Sequence, residues 1–371
     1  MGTLLKEIMA RLEALYPRSW AVPGDPGGLL LGHPESRVDA VLVALEVSPP
    51  VVAAARARGA QLLLTHHPLL YQPLAAVRED RPLGELVAAL IKGGIAHAAC
   101  HTNLDVAPEG VNDYLARLLE LEDAEVLQET GRDEWYKLTV FVPAGYEDRV
   151  RRALADDRVG VIGRYSHCAF ASRGQGTYIP LEGAQPFRGE RGILSRAEES
   201  RLEMVAPASR LDAAVSRMKA VHPYEEPAYD LYPLANPGPS LGFGRVGNWS
   251  AARPFARVVD RVKEVFEVNQ VKIWGRPPAA VERLALCSGS GGDLITPAWQ
   301  RVAQVYLTGE VRHHQATPGY PEGFAVLEVG HFASEAVFIP EWAGQLRRHF
   351  QESGLQVRVE AAQEEAPFSY L

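Results

Sequence analysis

The chain has 371 residues, of which 47% are hydrophobic and 23% are charged, values that exclude a disordered or fibrous protein. Its formal net charge of −8 provides no global field that would attract it to nucleic acids or to anionic membranes. This length exceeds the usual size of one domain, so we expect two or more packed units.

The amino-terminal segment and the cysteines bear on the compartment. Residues 1–8 read as an amphipathic helix that contains an acidic residue, not as a signal peptide, and no apolar run is long enough to cross a bilayer. The cysteines, Cys100, Cys168 and Cys287, are odd in number and far apart, which favours neither a disulfide framework nor a CxxC zinc site. We therefore expect a cytoplasmic protein with no membrane partner.

Strand and helix patterns alternate in the first third of the chain. Residues 38–47 form an apolar run that predicts a strand, and a short Ala-rich helix follows. Residues 61–64 then read as a strand, residues 83–92 as a helix that ends at Gly93-Gly94, and residues 95–100 as another strand. Such alternation predicts a parallel or mixed α/β sheet.

The middle of the chain has a different pattern. The sequence predicts strands at 135–142, 202–205 and 229–234 and helices at 147–155 and 210–220. We interpret this segment as a β-α-β-β-α-β, ferredoxin-like unit. The Pro/Gly-rich residues 235–240 read as a linker that closes it.

Beyond that linker the α/β pattern returns. A helix is predicted through 255–259, and strands are predicted at 284–286, 305–308 and 324–329. The first and last segments are therefore expected to build one α/β domain, residues 1–128 and 239–371, around an inserted α+β domain of residues 129–238.

Three polar clusters directly follow predicted strands. They contain five candidate metal ligands: His66, His67, Asp105, His331 and Glu335. Loops at the carboxyl ends of strands in open α/β sheets face a common crevice, so we expect the clusters to lie together. His331 and Glu335 stand four residues apart at a predicted helix start, which places both on one helix face.

This set of side chains favours a dinuclear metal site. Imidazole and carboxylate ligands accept zinc, iron or manganese, and carboxylates can bridge two cations. Five ligands exceed the number that one tetrahedral ion needs. The alternative is a metal-free cluster held by hydrogen bonds, which we disfavour because so many buried polar atoms would need other partners.

Four stretches, in this order, resemble a known family: THHPLLY from Thr65, HTNLDVAPEGVND from His101, LTGEVRHH from Leu307 and GHFASE from Gly330. The family is the Nif-three-like, or GTP cyclohydrolase I type two-like, family of dinuclear-metal-centre proteins. The resemblance covers nearly the whole chain. It implies a toroidal homohexamer with two divalent ions per subunit, bound at the five positions given above. His101 would lie close by, as a ligand or as a group that orients one.

The resemblance also extends to the middle segment. Longer members carry an inserted domain similar to the trimeric PII and CutA proteins, and HPYEEPAYDLYPL from His222 looks like its signature. His222, Tyr224, Glu225 and Glu226 taken alone would make a small-ligand or metal site. Within a PII-like insertion we assign them to subunit packing.

One segment departs from the family pattern. Members commonly have Trp-Asp-Asn before a Gly-Leu segment near the amino terminus, whereas this chain has Trp20 and then Asp25 ahead of Gly27-Gly28-Leu29. The departure leaves the metal motifs intact and casts doubt on any shared substrate contact at that place.

Weaker signals leave alternatives open. The resemblance places Glu310, His313 and His314 near the metal cavity, as proton-transfer groups, substrate contacts or groups that orient ligands. The GxGxxG match at 242–247 lacks the strand and helix of a dinucleotide site, and we disfavour it. The Gly/Ser-rich residues 287–293 suit either an anion cradle or a tight turn.

Two functions are consistent with these residues. The leading hypothesis is a metal-dependent hydrolase acting on a nucleotide or a phosphorylated small molecule, GTP cyclohydrolase-like by resemblance, with His101 or Glu310 moving protons. The alternative is a non-enzymatic hexameric metal-binding protein with a regulatory or scaffold role. Nucleic-acid binding is disfavoured by the net charge.

Overall fold

The structure is a computed structural model that describes residues 2–155, 158–316 and 319–369. The chain divides into two units: unit 1 comprises Met1–Gly131 and Leu241–Leu371, and unit 2 comprises Arg132–Ser240. Unit 1 is thus built from both ends of the chain.

The first segment alternates between strands and helices. Its elements are β1 (Thr3–Leu4), α1 (Leu5–Leu15), β2 (Gly28–Leu31), β3 (Arg37–Val38), β4 (Ala40–Ala44), α2 (Pro49–Ala57), β5 (Leu62–Thr65), α3 (Pro82–Lys92), β6 (Ala96–Ala99), α4 (Thr102–Val106), α5 (Val111–Leu118) and β7 (Glu122–Arg132). The helix predicted over residues 1–8 begins only at Leu5, because the two residues before it pair with β3. Met1 lies outside the described residues.

Unit 2 contains two helices and a four-stranded antiparallel sheet. Its elements are β8 (Trp135–Pro143), α6 (Glu147–Leu154), β9 (Phe170–Tyr178), β10 (Ser195–Pro207), α7 (Leu211–Val221) and β11 (Tyr229–Pro233), with the sheet order β11-β8-β10-β9. This is the β-α-β-β-α-β connection order of a ferredoxin-like unit. The sequence did not locate β9, whose residues are mostly exposed and show no apolar alternation.

Alternate residues of β8 build the core of unit 2. Leu138, Val140 and Val142 are fully buried and pack with Val150 of α6 and Met218 of α7. Burial of each such side chain stabilises the fold by about 1.5–3 kcal/mol. The period of two in β8 thus determines which face of the sheet the two helices cover.

The last segment returns to unit 1. Its elements are β12 (Ser240–Pro254), α8 (Phe255–Val265), β13 (Lys272–Gly275), β14 (Ala280–Cys287), α9 (Ile295–Gln300), β15 (Val305–Thr308), α10 (His313–Ala316), β16 (Ala325–Glu328), α11 (His331–Ala336), α12 (Ile339–Glu352) and β17 (Arg358–Ala361). The GxGxxG match lies inside β12 and therefore has no strand–turn–helix geometry.

Unit 1 contains two large sheets, a division that the sequence analysis did not predict when it placed the three polar clusters at strand ends around a common crevice. A five-stranded sheet has the order β17-β4-β5-β6-β2, and a six-stranded sheet has the order β13-β16-β15-β14-β12-β7. The four strands β17, β4, β5 and β6 run parallel, as do the three strands β14, β15 and β16. Each sheet thus has its own set of loops at the carboxyl ends of its parallel strands.

Burial explains why these strands are short apolar runs. Every residue of β4, β5, β6, β15 and β16 is buried, as expected for parallel strands covered on both faces. One core cluster joins Leu5 and Leu64 from the first segment with Leu284, Leu327 and Trp342 from the last. No helix among the described residues is both long and apolar enough to span a membrane.

Candidate metal centre

Two strands of the five-stranded sheet deliver three histidines to one place. β5 ends at Thr65, so His66 and His67 are the first residues beyond its carboxyl end. β6 ends at Ala99, and His101 follows it by two residues. The short helix α4 begins at once and carries Asp105 on its first turn.

The six-stranded sheet supplies the remaining predicted residues. Glu310 follows β15, and β16 is followed by Gly330, whose φ of 98° turns the chain into α11. His331 and Glu335 then lie one turn apart on α11, with His331 Nε2 3.2 Å from Glu335 Oε2. The centre is therefore assembled from loops of two sheets.

The structure brings the predicted side chains together. The histidines His66, His67 and His101 form one group of potential ligands, and His67, His331 and Glu335 form a second, with the ligand atoms of each group within 4.8 Å of one another. Asp105 Oδ1 lies 3.5 Å from His66 Nε2. His67 belongs to both groups, so the two groups are adjacent.

Hydrogen bonds at Nδ1 orient three of the four imidazoles. His66 Nδ1 lies 3.0 Å from the carbonyl oxygen of Cys100, which can only accept. His101 Nδ1 lies 2.6 Å from Asp25 Oδ1, and His331 Nδ1 lies 3.1 Å from Glu310 Oε2. Nδ1 therefore carries the hydrogen in each neutral ring, and the lone pair of Nε2 is left to bind an ion, as in metal sites generally.

Asp25 is a candidate site residue that the sequence analysis missed. Its Oδ1 accepts from His101 Nδ1, and its Oδ2 accepts from the Thr102 backbone N–H at 3.1 Å. Burial raises the pKa of Asp25, but the hydrogen bonds from His101 and Thr102 outweigh burial and hold that pKa below its usual value. The signal was present, because this aspartate precedes Gly27-Gly28 in the segment that we interpreted only as a departure from the family pattern.

The centre of the cluster requires positive charge. Asp105 Oδ1 and Glu335 Oε2 are buried and receive no hydrogen bond from the described part of the chain. Glu335 Oε2 nevertheless lies 3.2 Å from His331 Nε2, in a ring whose Nδ1 carries the hydrogen when neutral. Since these oxygen and nitrogen atoms present lone pairs to one another, they repel unless a proton or a cation lies among them.

The pKa values of these groups also indicate that the cluster requires positive charge. Burial lowers the pKa of His66, but the charges of Asp105 and Glu335 outweigh burial and raise it to about 9. Interaction with the Glu335 carboxylate likewise raises the pKa of His331 to about 9. Burial raises the pKa of Asp105. Burial also acts to raise the pKa of Glu335, but interactions with His331, His66 and His67 outweigh it and hold that pKa far below its usual value. The donor set of imidazoles and carboxylates fits zinc, iron or manganese.

A glycine makes room for the central carboxylate. Gly289 has a φ of +62°, and a Cβ at this position would lie 2.2 Å from Glu335 Oε1. Any larger residue would therefore displace Glu335 as well as strain the backbone.

A cavity of about 440 Å³ opens onto these side chains. Besides His67, His101, Asp105, His331 and Glu335, its lining includes Tyr71, Phe243, Ser288 and Ser290. Its volume lies in the range of small-molecule sites.

The Gly/Ser-rich loop after β14 forms a turn whose backbone donors are already engaged. The Ser288 N–H donates to Asn112 Oδ1, the Gly289 N–H to Ser334 Oγ and the Gly291 N–H to Thr308 Oγ1. These three groups are not free to bind an anion, which favours the tight-turn interpretation. His313 and His314 are exposed in α10 and belong to neither ligand group.

His97 supports the loop that carries the ligands. It is fully buried, and its Nε2 lies 2.8 Å from Thr65 Oγ1. The Thr65 hydroxyl donates to the His67 carbonyl oxygen at 2.6 Å, so His97 Nε2 must be the donor to Thr65. His97 Nδ1 is then unprotonated and has no hydrogen-bond partner among the described residues.

Comparison with known proteins shows a consistent set of relatives. A sequence model of the family described as Duf34/NIF3 (NGG1p interacting factor 3) matches residues 3–367. The GTP cyclohydrolase 1 type 2 homolog of Halalkalibacterium halodurans is 38% identical over 324 residues, which cover 87% of each chain. The protein of the same name from Bacillus subtilis is 40% identical over 330 residues, covering 89% of this chain and 88% of that one.

Solved structures of similar proteins superpose on this chain. A Bacillus cereus protein related to NIF3 superposes with a TM-score of 0.81 at 37% identity and covers 100% of both chains. The Staphylococcus aureus protein SA1388 superposes with a TM-score of 0.69 at 26% identity, covering 100% of this chain and 99% of that one.

The burial of His97 generates a prediction about pH. Burial lowers the pKa of His97 from 6.5 to about 4. The unfolded chain therefore takes up a proton below pH 6.5 that the folded chain does not take up until about pH 4. We expect His97 to reduce the free energy of unfolding by about 2 kcal/mol at pH 5 relative to pH 7.5.

The measurement is urea unfolding of the natural chain and of His97→Gln across this pH range, followed by tryptophan fluorescence. The other histidines are common to both chains, so the difference between the two pH profiles isolates His97. Parallel profiles would show that His97 is not a buried neutral group.

Proposed function

The chain belongs to the Duf34/NIF3 family, and on that premise we propose that it is a dinuclear divalent-metal-binding protein and a metal-dependent hydrolase. The proposed ligands are His66, His67, Asp105, His331 and Glu335, with His101 beside them. The ions are zinc, iron or manganese, which this donor set accepts.

One observation carries the proposal. Two groups of potential ligands share His67, and between them Asp105 and Glu335 bury carboxylate oxygens that receive no hydrogen bond in the described chain. Two buried acids among imidazoles are unfavourable unless protons or cations lie between them, and two divalent cations would supply that positive charge.

Divalent cations at this place would lower the pKa of a water molecule to near neutrality and stabilise negative charge on a substrate oxygen. The chain's own residues would position the substrate and move protons. Glu310 is half exposed and accepts from His331 Nδ1, so it would exchange protons with solvent and with His331, which lines the cavity. His101 is held at Nδ1 by Asp25, which leaves Nε2 for the same task or for an ion.

The cavity and the relatives support the proposed substrate class. A volume of about 440 Å³ suits a nucleotide or a phosphorylated small molecule, and Tyr71 and Phe243 offer aromatic rings to a flat base. Because the curated relatives are named GTP cyclohydrolase 1 type 2 homologs, GTP is the first substrate to test. The three cysteines are free thiols, which supports a cytoplasmic location.

A second candidate is a non-enzymatic metal-binding protein with a regulatory or scaffold role. The observation that favours it is that unit 2, within its described residues, supplies none of the candidate ligands and yet forms a cavity of its own. We propose that residues 129–238 are an inserted PII/CutA-like domain, which in this second case would bind a ligand or a partner protein.

Turnover by the loaded protein distinguishes the two candidates. We expect chains loaded separately with zinc, iron and manganese to retain about two equivalents of metal and at least one form to hydrolyse GTP or a phosphoester. Asp105→Ala should lose activity, whereas Asp80→Ala, at an exposed carboxylate paired with Arg78, should retain it. If none of the three metal-loaded forms turned over any of a broad set of substrates, the second candidate would be favoured.

Asp25 provides a test that does not depend on turnover. In Asp25→Asn the side-chain amide could still accept from His101 but would carry no charge, so we expect this variant to bind metal about tenfold more weakly. Competition with a chromophoric chelator measures this affinity, with Asp80→Asn as the control. Equal affinities for the natural chain and Asp25→Asn would remove Asp25 from the metal centre.

We also propose that the chain forms a toroidal homohexamer, as its family resemblance implies. Light scattering should then give about six times the chain mass of 40.6 kDa. A mass of one chain would contradict the proposal.

A further inference from the structure

Unit 2 contains a cavity of about 420 Å³ that the proposed hydrolase chemistry does not use. We call it the aromatic cavity; its lining includes Phe141, Tyr178, Phe187, Glu199, Tyr224 and Glu226. The sequence analysis assigned His222, Tyr224, Glu225 and Glu226 to subunit packing, but the last three of these line this space. Its volume is that of a small-molecule site.

The aromatic walls are held in place by contacts within unit 2. The ring of Tyr224 lies 6.3 Å from that of Tyr178 and 6.0 Å from that of Phe187, measured between centroids. The Tyr178 hydroxyl donates to the Arg188 carbonyl oxygen at 2.8 Å, and the Gln185 N–H donates to Glu225 Oε1 at 2.8 Å. The walls are therefore formed before a ligand arrives, which reduces the entropy cost of binding.

His222 fixes the position of Tyr224. Its Nδ1 accepts from the Tyr224 backbone N–H at 3.1 Å, and its Nε2 donates to the Phe141 carbonyl oxygen at 3.1 Å. The imidazole is thus fully engaged by the backbone and is not offered to a metal.

Glu199 presents a carboxylate with spare acceptor capacity. The Tyr224 hydroxyl donates to Glu199 Oε1 at 2.9 Å, and no other described residue forms a hydrogen bond with this carboxylate. Oε2 occupies the space beside Gly176, where an added Cβ would lie 2.2 Å away. The absence of a side chain at Gly176 in β9 is what admits the carboxylate to the cavity wall.

The charged residues that line the aromatic cavity favour a cationic ligand. Three carboxylates, Glu199, Glu225 and Glu226, and no lysine or arginine are among the described residues that line the aromatic cavity. The Arg188 guanidinium, which is not part of this lining, lies 5.6 Å from the centre of the Phe187 ring. An anionic ligand would meet three like charges.

We propose that the aromatic cavity binds a planar aromatic cation, whose N–H groups donate to Glu199 and whose ring packs against Tyr178, Phe187 and Tyr224. Amidinium and protonated amine groups match a carboxylate in charge and donor geometry. This inference does not depend on the metal centre proposed for unit 1.

Benzamidine is a suitable probe because its flat ring carries a cationic fork of N–H donors. For a ligand of about nine heavy atoms we expect saturable binding to the full-length chain with a dissociation constant of about 1 mM. Titration followed by ligand-observed NMR measures it. Benzoate, which has a similar shape and the opposite charge, should not bind.

The variants locate the site. Glu199→Gln keeps the shape of the side chain and removes its charge, so we expect binding about tenfold weaker. Glu198→Gln is the matched control, because Glu198 is the adjacent residue of β10, is exposed and points to the opposite face of the strand. Its affinity should equal that of the natural chain.

A second variant keeps the proposal testable if Glu199→Gln fails to fold. Phe187 is 41% exposed, so Phe187→Ala should fold and should bind benzamidine several-fold more weakly. The proposal is overturned if benzamidine shows no saturation up to about 10 mM, if benzoate binds equally well, or if Glu199→Gln and Glu198→Gln have the same affinity.

Discussion

The candidate metal centre of unit 1 is organised around the Glu335 carboxylate, which is buried among histidines. Glu335 is 5% exposed, and its oxygens lie 3.7 Å from His66, 3.0 Å from His67 and 3.2 Å from His331. An isolated buried carboxylate is strongly unfavourable, so its surroundings must supply positive charge. Because those histidines come from loops of two sheets, this electrostatic requirement joins the first and last segments of the chain at one point.

Groups further from the centre determine its geometry. Cys100, Asp25 and Glu310 each hold one imidazole at Nδ1, so that three Nε2 atoms face inward without rotational freedom. Gly289 leaves the space that Glu335 occupies. Preorganisation of this kind separates a functional centre from a chance cluster of polar residues, because the ligands need not rearrange when an ion binds.

The two units offer contrasting chemistry. The candidate metal centre of unit 1 is polar and is built from imidazoles and acids at strand ends, whereas the aromatic cavity of unit 2 has ring walls and a carboxylate with spare acceptor capacity. Each is assembled from residues of its own unit.

The sequence alone determined several of the local elements and the identity of the candidate ligands. Short apolar runs predicted β5, β6, β15 and β16 to within a residue or two, and the polar residues that follow them were expected to form a common site. Only the tertiary structure decided that the strands form two sheets and that β17, from the last segment, pairs with β4, from the first. It also decided that Asp25 accepts a hydrogen bond from His101. The reason is physical: periodicity reports which face of a strand or helix is buried, whereas strand pairing and side-chain contacts between distant segments leave no periodic signal in the sequence.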